Sequence, residues 1–240
     1  MPYPPQQGTA LRNYNLIAQV ARRHDVALLT FGKASGLGDG GPLRESCHPL
    51  TVVPIPDRTM LGRLRTLGTT RLPDMAHRLY SPAFLSALQT LTKAQRFDII
   101  QVEGIELALY ALILASRLRA CGTAIVFDDH NAEYALQQRA CLTDWKTPRR
   151  WPAALYSFIQ WHRLVRFERQ ICTAADAVVA VSPEDSAALE RIAPGVEPLT
   201  VPNGVDIERY HPRLPDSLPL QHPALVYTGK MDYRPNVDAM

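Results

Sequence analysis

Short, nearly unbroken apolar runs alternate along this chain with longer segments of helical periodicity. That alternation constrains the fold more than any other feature. The runs "DVALLTF" (25–31), "TVVPI" (51–55), "FDIIQVEG" (97–104), "TAIVFDDH" (123–130) and "DAVVAVS" (176–182) read as strands, and "EPLTVPNGVD" (197–206) as a last strand followed by a turn. Between them lie helical segments. In "LRNYNLIAQVARR" (11–23), Leu11, Tyr14, Ile17 or Ala18, and Ala21 share one face. Residues 58–80 read as basic helical pieces, Pro82 opens a helix to about Gln95, and "IELALYALILASRLRA" and 151–173 read as further helices. "SPEDSAALERI" carries Ser182 as N-cap, Pro183 at its first position and two acids in its first turn. Strands that are apolar throughout are buried on both sides. The pattern therefore predicts an α/β fold with a Rossmann-like parallel sheet and helices on both faces. The prolines around "TVVPI" predict a short edge strand there.

Bulk properties narrow the function. The chain has 240 residues, enough for one large domain or two small ones. A net charge of +3 is too small to argue for nucleic acid. No apolar stretch approaches the roughly 20 residues that span a bilayer, and "MPYPPQQGTALRNY" lacks the regions of a signal peptide. The four cysteines, Cys47, Cys121, Cys141 and Cys172, form no C-x-x-C pair, so free thiols in a reducing cytoplasm are expected and no metal site. No G-x-G-x-x-G is present, which argues against a dinucleotide enzyme.

Ligands of parallel α/β sheets bind beyond the carboxyl ends of the strands. His130 follows "AIVFDD" at such an end, where an imidazole can hydrogen-bond a sugar hydroxyl or a developing charge; the alternative is a histidine that fixes its own loop. Asp128 and Asp129 beside it point to opposite sides of a strand, so capping and loop structure are expected of them rather than a metal. Glu103 ends another strand and is read either as a binder of acceptor hydroxyls or as a solvated acid. Gly8 is read as a ligand-facing or ordinary turn glycine, and Arg12, one turn into the helix, as an anion contact or an exposed arginine. Asn203, Gly204 and Asp206 read as a tight turn, primarily structural. Near the end, "LVYTGKMDYRPNVDAM" has the order of a phosphate-binding βα unit: an apolar run, then Gly229, then a helix start.

All three tryptophans lie at 145, 151 and 161. Between Lys146 and Arg169 there are six Lys or Arg residues and one acid, Glu168. Cations interleaved with Trp and Phe suit an anionic membrane surface; a long helix with solvated arginines is the equal alternative. Residues 58–80, with five arginines, are a second such segment.

Taken in order, these loops resemble family 4 glycosyltransferases of the GT-B fold. The resemblance is carried by "PYPPQQGTALRNY", "FDDHNAEY", "FERQICTAADAVVAVSPED", "VPNGVDIERYHP" and "LVYTGKMDYRPNVDAM". It implies a retaining enzyme that moves a sugar from a nucleotide-sugar donor to a glycan or lipid-linked acceptor, as in polysaccharide biosynthesis, with no cofactor or metal. It implies that residues 1–202 are the acceptor-side domain and that 203–240 are the interdomain turn and the start of the donor-binding domain. His130 takes the catalytic position. Gly8, Arg12, Glu103, Asn203 and Gly204 take substrate-binding ones, and Gly229, Lys230 and Arg234 would meet the donor phosphates. The expected location is the cytoplasm, peripheral on the inner membrane face. "PYPPQQGTA" reads as a loop that follows a first strand, and none precedes it. The paired glutamates of the family lie beyond Met240. The expectation is therefore a fragment truncated at both ends and inactive alone, with a non-catalytic Rossmann-like binding module as the alternative.

Overall fold

A computed structural model of the chain describes residues 1–6, 8–32, 40–208 and Pro223. The chain divides into two compact units, Met1–Gly204 and Val205–Met240. The first is an α/β structure of parallel sheets flanked by helices, as the sequence predicts. Its strands are β1 (Val26–Gly32), β2 (Cys47–Pro54), β3 (Ile99–Glu103), β4 (Ala124–Asp129), β5 (Ala177–Ala180) and β6 (Leu199–Thr200). Its helices are α1 (Gly8–Val20), α2 (Leu43–Ser46), α3 (Met60–Thr69), α4 (Asp74–Arg78), α5 (Pro82–Ala94), α6 (Ala108–Ala120), α7 (Glu133–Trp145), α8 (Trp151–Ala174) and α9 (Pro183–Ile192).

The strands pair in two groups, β1 with β2 and, separately, β3-β4-β5-β6, all parallel. Aromatic packing joins the two groups. Phe31 of β1 stacks on Phe84 of α5 at 4.3 Å, and Phe84 meets Tyr110 of α6 at 4.7 Å. The Tyr110 hydroxyl accepts from Ser81 N and donates to Leu79 O, both at 2.7 Å, so the buried ring keeps its polar end satisfied. The main core lies around β3 to β5, where Val102, Ile125, Phe127 and Val178 pack against Leu114, Leu164, Phe167, Ile171 and Leu189 of the helices.

The structure departs from the sequence reading in several elements. β2 begins earlier, at Cys47, and holds eight residues; Pro49 lies at the register shift against β1 and Pro54 is its last residue, positions that tolerate a missing N–H. β6 is only two residues long, although ten were read as strand and turn. Helix α7 was not anticipated, because its few apolar residues follow no clean stripe. No turn forms at Asn203–Gly204; the turn lies at 207–208, where Asp206 Oδ1 accepts from Glu208 N at 3.0 Å. The four cysteines are free thiols, and no described helix is long and apolar enough to cross a membrane.

Candidate functional site

Parallel register sets Glu103, the last residue of β3, beside Asp128 of β4 at the carboxyl edge of the larger sheet. The chain leaves β3 through Gly104, at φ 81°, a conformation that side chains disfavour. Gly104 N donates to Asp128 O at 2.9 Å, which locks the two strand ends together. A Cβ at Gly104 would also sit 3.4 Å from His130 Nδ1. The glycine thus gives the histidine its room.

His130 lies just past β4, with its side chain 15% exposed. Its Nε2 donates to Glu103 Oε2 at 2.9 Å, because a carboxylate accepts only. The proton is then at Nε2 in the neutral ring. Nδ1 has no hydrogen-bond partner among the described residues. Glu103 is itself held from other directions. Gln101 Nε2 donates to its Oε1 at 2.6 Å. The buried amide of Asn13 on α1, oriented so that both ends are satisfied, donates to Glu103 Oε2 and to Thr9 O, each at 3.1 Å. With both oxygens engaged, Glu103 orients His130, and a role as an independent hydroxyl binder is not what its geometry favours.

Arg12 is neither exposed nor open to an anion. Its side chain is 6% exposed, and Nη2 lies 3.0 Å from Asp128 Oδ2, whose side chain is 2% exposed. Nη1 donates to Val201 O at 3.0 Å and to Asn203 Oδ1 at 3.1 Å. One guanidinium therefore ties α1, the end of β4 and the segment after β6. Asn203 is engaged by the protein as well. Gly204 and Gly8 have open space around them, and Gly8 is the first residue of α1 rather than part of a loop. Gly229, Lys230 and Arg234 lie outside the described residues.

Asp128 and Asp129 are strand residues, not caps. They point to opposite sides, as the pleat requires. Burial, and then the Glu103 carboxylate, push Asp128 above its ordinary range, with Arg12 pulling it back. Glu103, Asp128 and His130 offer ligand atoms within 4.8 Å of one another. A cation there would sit against the Arg12 guanidinium that already neutralises Asp128, so the trio is better suited to hydrogen bonding than to a metal.

Asp129 faces the other way, into the core, where neither carboxylate oxygen finds a donor. Its neighbour is Glu168 of α8, fully buried. Glu168 caps α7: its oxygens accept from Glu133 N at 2.7 Å and Tyr134 N at 2.8 Å. Burial pushes Glu168 up to about 8 against the pull of these two donors. Burial and then Glu168 push Asp129 well up too. With both ionised there is no hydrogen between them, so a shared proton is what turns the contact into a bond. The signal for this pair was legible: Leu164, Phe167 and Ile171 mark the buried face of α8, and an acid at 168 falls within it.

This pair has a testable consequence. Folded, it holds a proton at pH values where the unfolded chain has released it. Stability therefore falls as pH rises from the ordinary carboxylate range toward about 8. Asp129→Asn removes one of the two charges, so the variant gains stability relative to the native chain at pH 8 and shows a flatter profile. Each unit of raised pKa that is relieved corresponds to about 1.4 kcal/mol. Urea unfolding at pH 5 and pH 8 measures both slopes; parallel slopes would refute the shared proton.

At the other edge of the site, Ser182 caps α9 as predicted. Its Oγ accepts from Asp185 N at 3.1 Å and donates to Asp185 Oδ2 at 2.6 Å, while Asp185 Oδ1 accepts from Ala132 N at 3.0 Å. The loop that carries His130 is thereby fastened to α9.

A parallel α/β unit with an oriented imidazole at its carboxyl edge defines a ligand-binding class of fold. The family model described as Glycosyltransferase Family 4 matches residues 7–209 of this chain. The match spans most of the 240 residues, and the chain belongs to glycosyltransferase family 4. No curated protein matches it closely enough to count as a relative.

Proposed function

We propose that this glycosyltransferase chain serves a retaining transfer of a sugar from a nucleotide-sugar donor to a glycan or lipid-linked acceptor in the cytoplasm, without a metal. In this reading residues 1–202 carry the acceptor side. Gly229, Lys230 and Arg234 contact the donor phosphates, a cation beside an anion being the favourable arrangement. One observation supports the reading above the others: Glu103 holds the ring of His130 by Nε2 and leaves Nδ1 without a partner among the described residues, at the sheet edge where such folds bind ligands. Nδ1 can accept from a sugar hydroxyl in the neutral ring, or donate to developing negative charge in the protonated one. The Arg12 guanidinium already neutralises Asp128 beside Glu103 and His130, and this supports the metal-free part.

Transfer assays with a panel of UDP- and GDP-sugars and lipid-linked or glycan acceptors test this. We expect product with the anomeric configuration of the donor, formed equally in the presence of a chelator. Inverted product or chelator-sensitive turnover would overturn the corresponding part. Nucleotide-sugar binding with no turnover for any acceptor would favour the non-catalytic module.

A further inference from the structure

We infer that the outward face formed by α8, the end of α7 and α3 docks on an anionic lipid surface. This rests on the surface alone and not on the proposed transfer.

Helix α8 buries Ala154, Ser157, Gln160, Leu164, Phe167, Glu168 and Ile171. Opposite them, at helical spacing, run Trp151, Leu155, Phe158, His162, Arg166 and Arg169, all of them exposed. A helix that turns an apolar half-stripe to water has an unpartnered face. The stripe widens on both flanks. On one side Trp145, at the end of α7 and 58% exposed, stacks on Trp151 at 6.5 Å. On the other, α3 and the segment leading into α4 are fastened to α8: Arg163 donates to Leu67 O of α3 at 2.7 Å and to Leu72 O at 3.3 Å, and Gln160 accepts from Asp74 N of α4 at 2.7 Å. So fastened, α3 buries none of its residues. Met60, Leu61 and Leu64 are 70%, 79% and 63% exposed.

The charge around this apolar area selects the partner. Arg63, Arg65, Lys146, Arg149, Arg166 and Arg169 are exposed, and none is in an ion pair among the described residues. Acids in the same segments are spent elsewhere: Asp74 pairs with Arg58, Asp144 with Arg150, and Glu168 is in the core. A protein partner of ordinary composition would leave these cations without partners. An anionic bilayer accepts the aromatics at its headgroup boundary and the cations at its phosphates together.

The test is co-sedimentation of the 240-residue chain with phosphatidylcholine vesicles, with and without phosphatidylglycerol, at low and high salt. We expect binding to the anionic vesicles at low salt and its loss at high salt. R149E/R166E weakens it by at least about 25-fold, at roughly fivefold per cation removed. W151A/F158A also weakens it. All four positions are exposed, and circular dichroism confirms that each variant is folded. Absence of binding at low salt, or equal binding to neutral vesicles, overturns the proposal. So does concentration-dependent dimerisation that L155E abolishes in the absence of lipid, which would make the face a contact between copies.

Discussion

Arg12→Met is expected to lower the unfolding free energy by about 3 kcal/mol, or roughly 6–12 °C in Tm for a unit of this size. The reason is the burial of its partner. With the guanidinium gone, Asp128 at 2% exposure faces the Glu103 carboxylate with no compensating cation. A buried charge left alone costs far more than an exposed pair contributes. The segment after β6 also loses both of its bonds to Nη1. Arg12→Lys should fall between the two, because one ammonium cannot serve Asp128 and the Val201 carbonyl in the same fork geometry. Combining Arg12→Met with Asp128→Asn should recover part of the loss, since the second change removes the stranded charge. Urea unfolding of the native chain, Arg12→Met, Asp128→Asn and the double variant closes the cycle. A single-variant loss below about 1 kcal/mol would mean that the pair is solvated in solution and behaves as a surface one.

The second large effect is on chemistry. His130→Ala is expected to lower kcat in the transferase reaction by about 100-fold or more, the range for a lost acid–base or charge-stabilising group. Glu103→Leu should lower kcat less, because the imidazole remains but loses the acceptor that fixes its Nε2 proton. A readout independent of turnover separates positioning from mere structure. The 15N shifts of His130 report a ring protonated at Nε2 in the native chain and a mixture of tautomers in Glu103→Leu, with Glu103→Gln closer to native because its amide oxygen still accepts. Unchanged turnover in a folded His130→Ala would return the histidine to fixing its loop. Unchanged 15N shifts in Glu103→Leu would remove the positioning role from Glu103.

Much of this architecture was legible before any coordinates, and the elements that were not share a cause. The runs "AIVF" and "AVVA" read as parallel strands because burial leaves little room for polar alternation, and "FDIIQV" read as one too although Ile99 and Gln101 are exposed. The start of α9 was legible because Ser182 and Pro183 act within one turn. His130 at a strand's carboxyl end followed from those same local rules. Interaction range explains the misses. Helix α7 owes its start to Glu168, thirty-four residues on from Tyr134. Its neighbours in sequence do not decide it.

The sequence by itself therefore determined the class of the fold, the alternation of strands and helices and the strand end on which the candidate histidine sits, since each rests on periodicity or capping over a few residues. Only the tertiary structure decided what the charged residues do. Arg12 and Asp128 are 116 positions apart, and Glu103 and His130 are 27 apart. Whether an arginine on α1 is a free cation or a buried strut depends on which carboxylate the fold places against it. Coulomb interaction and desolvation depend on distance in space and on exclusion of water, and neither is written in local sequence.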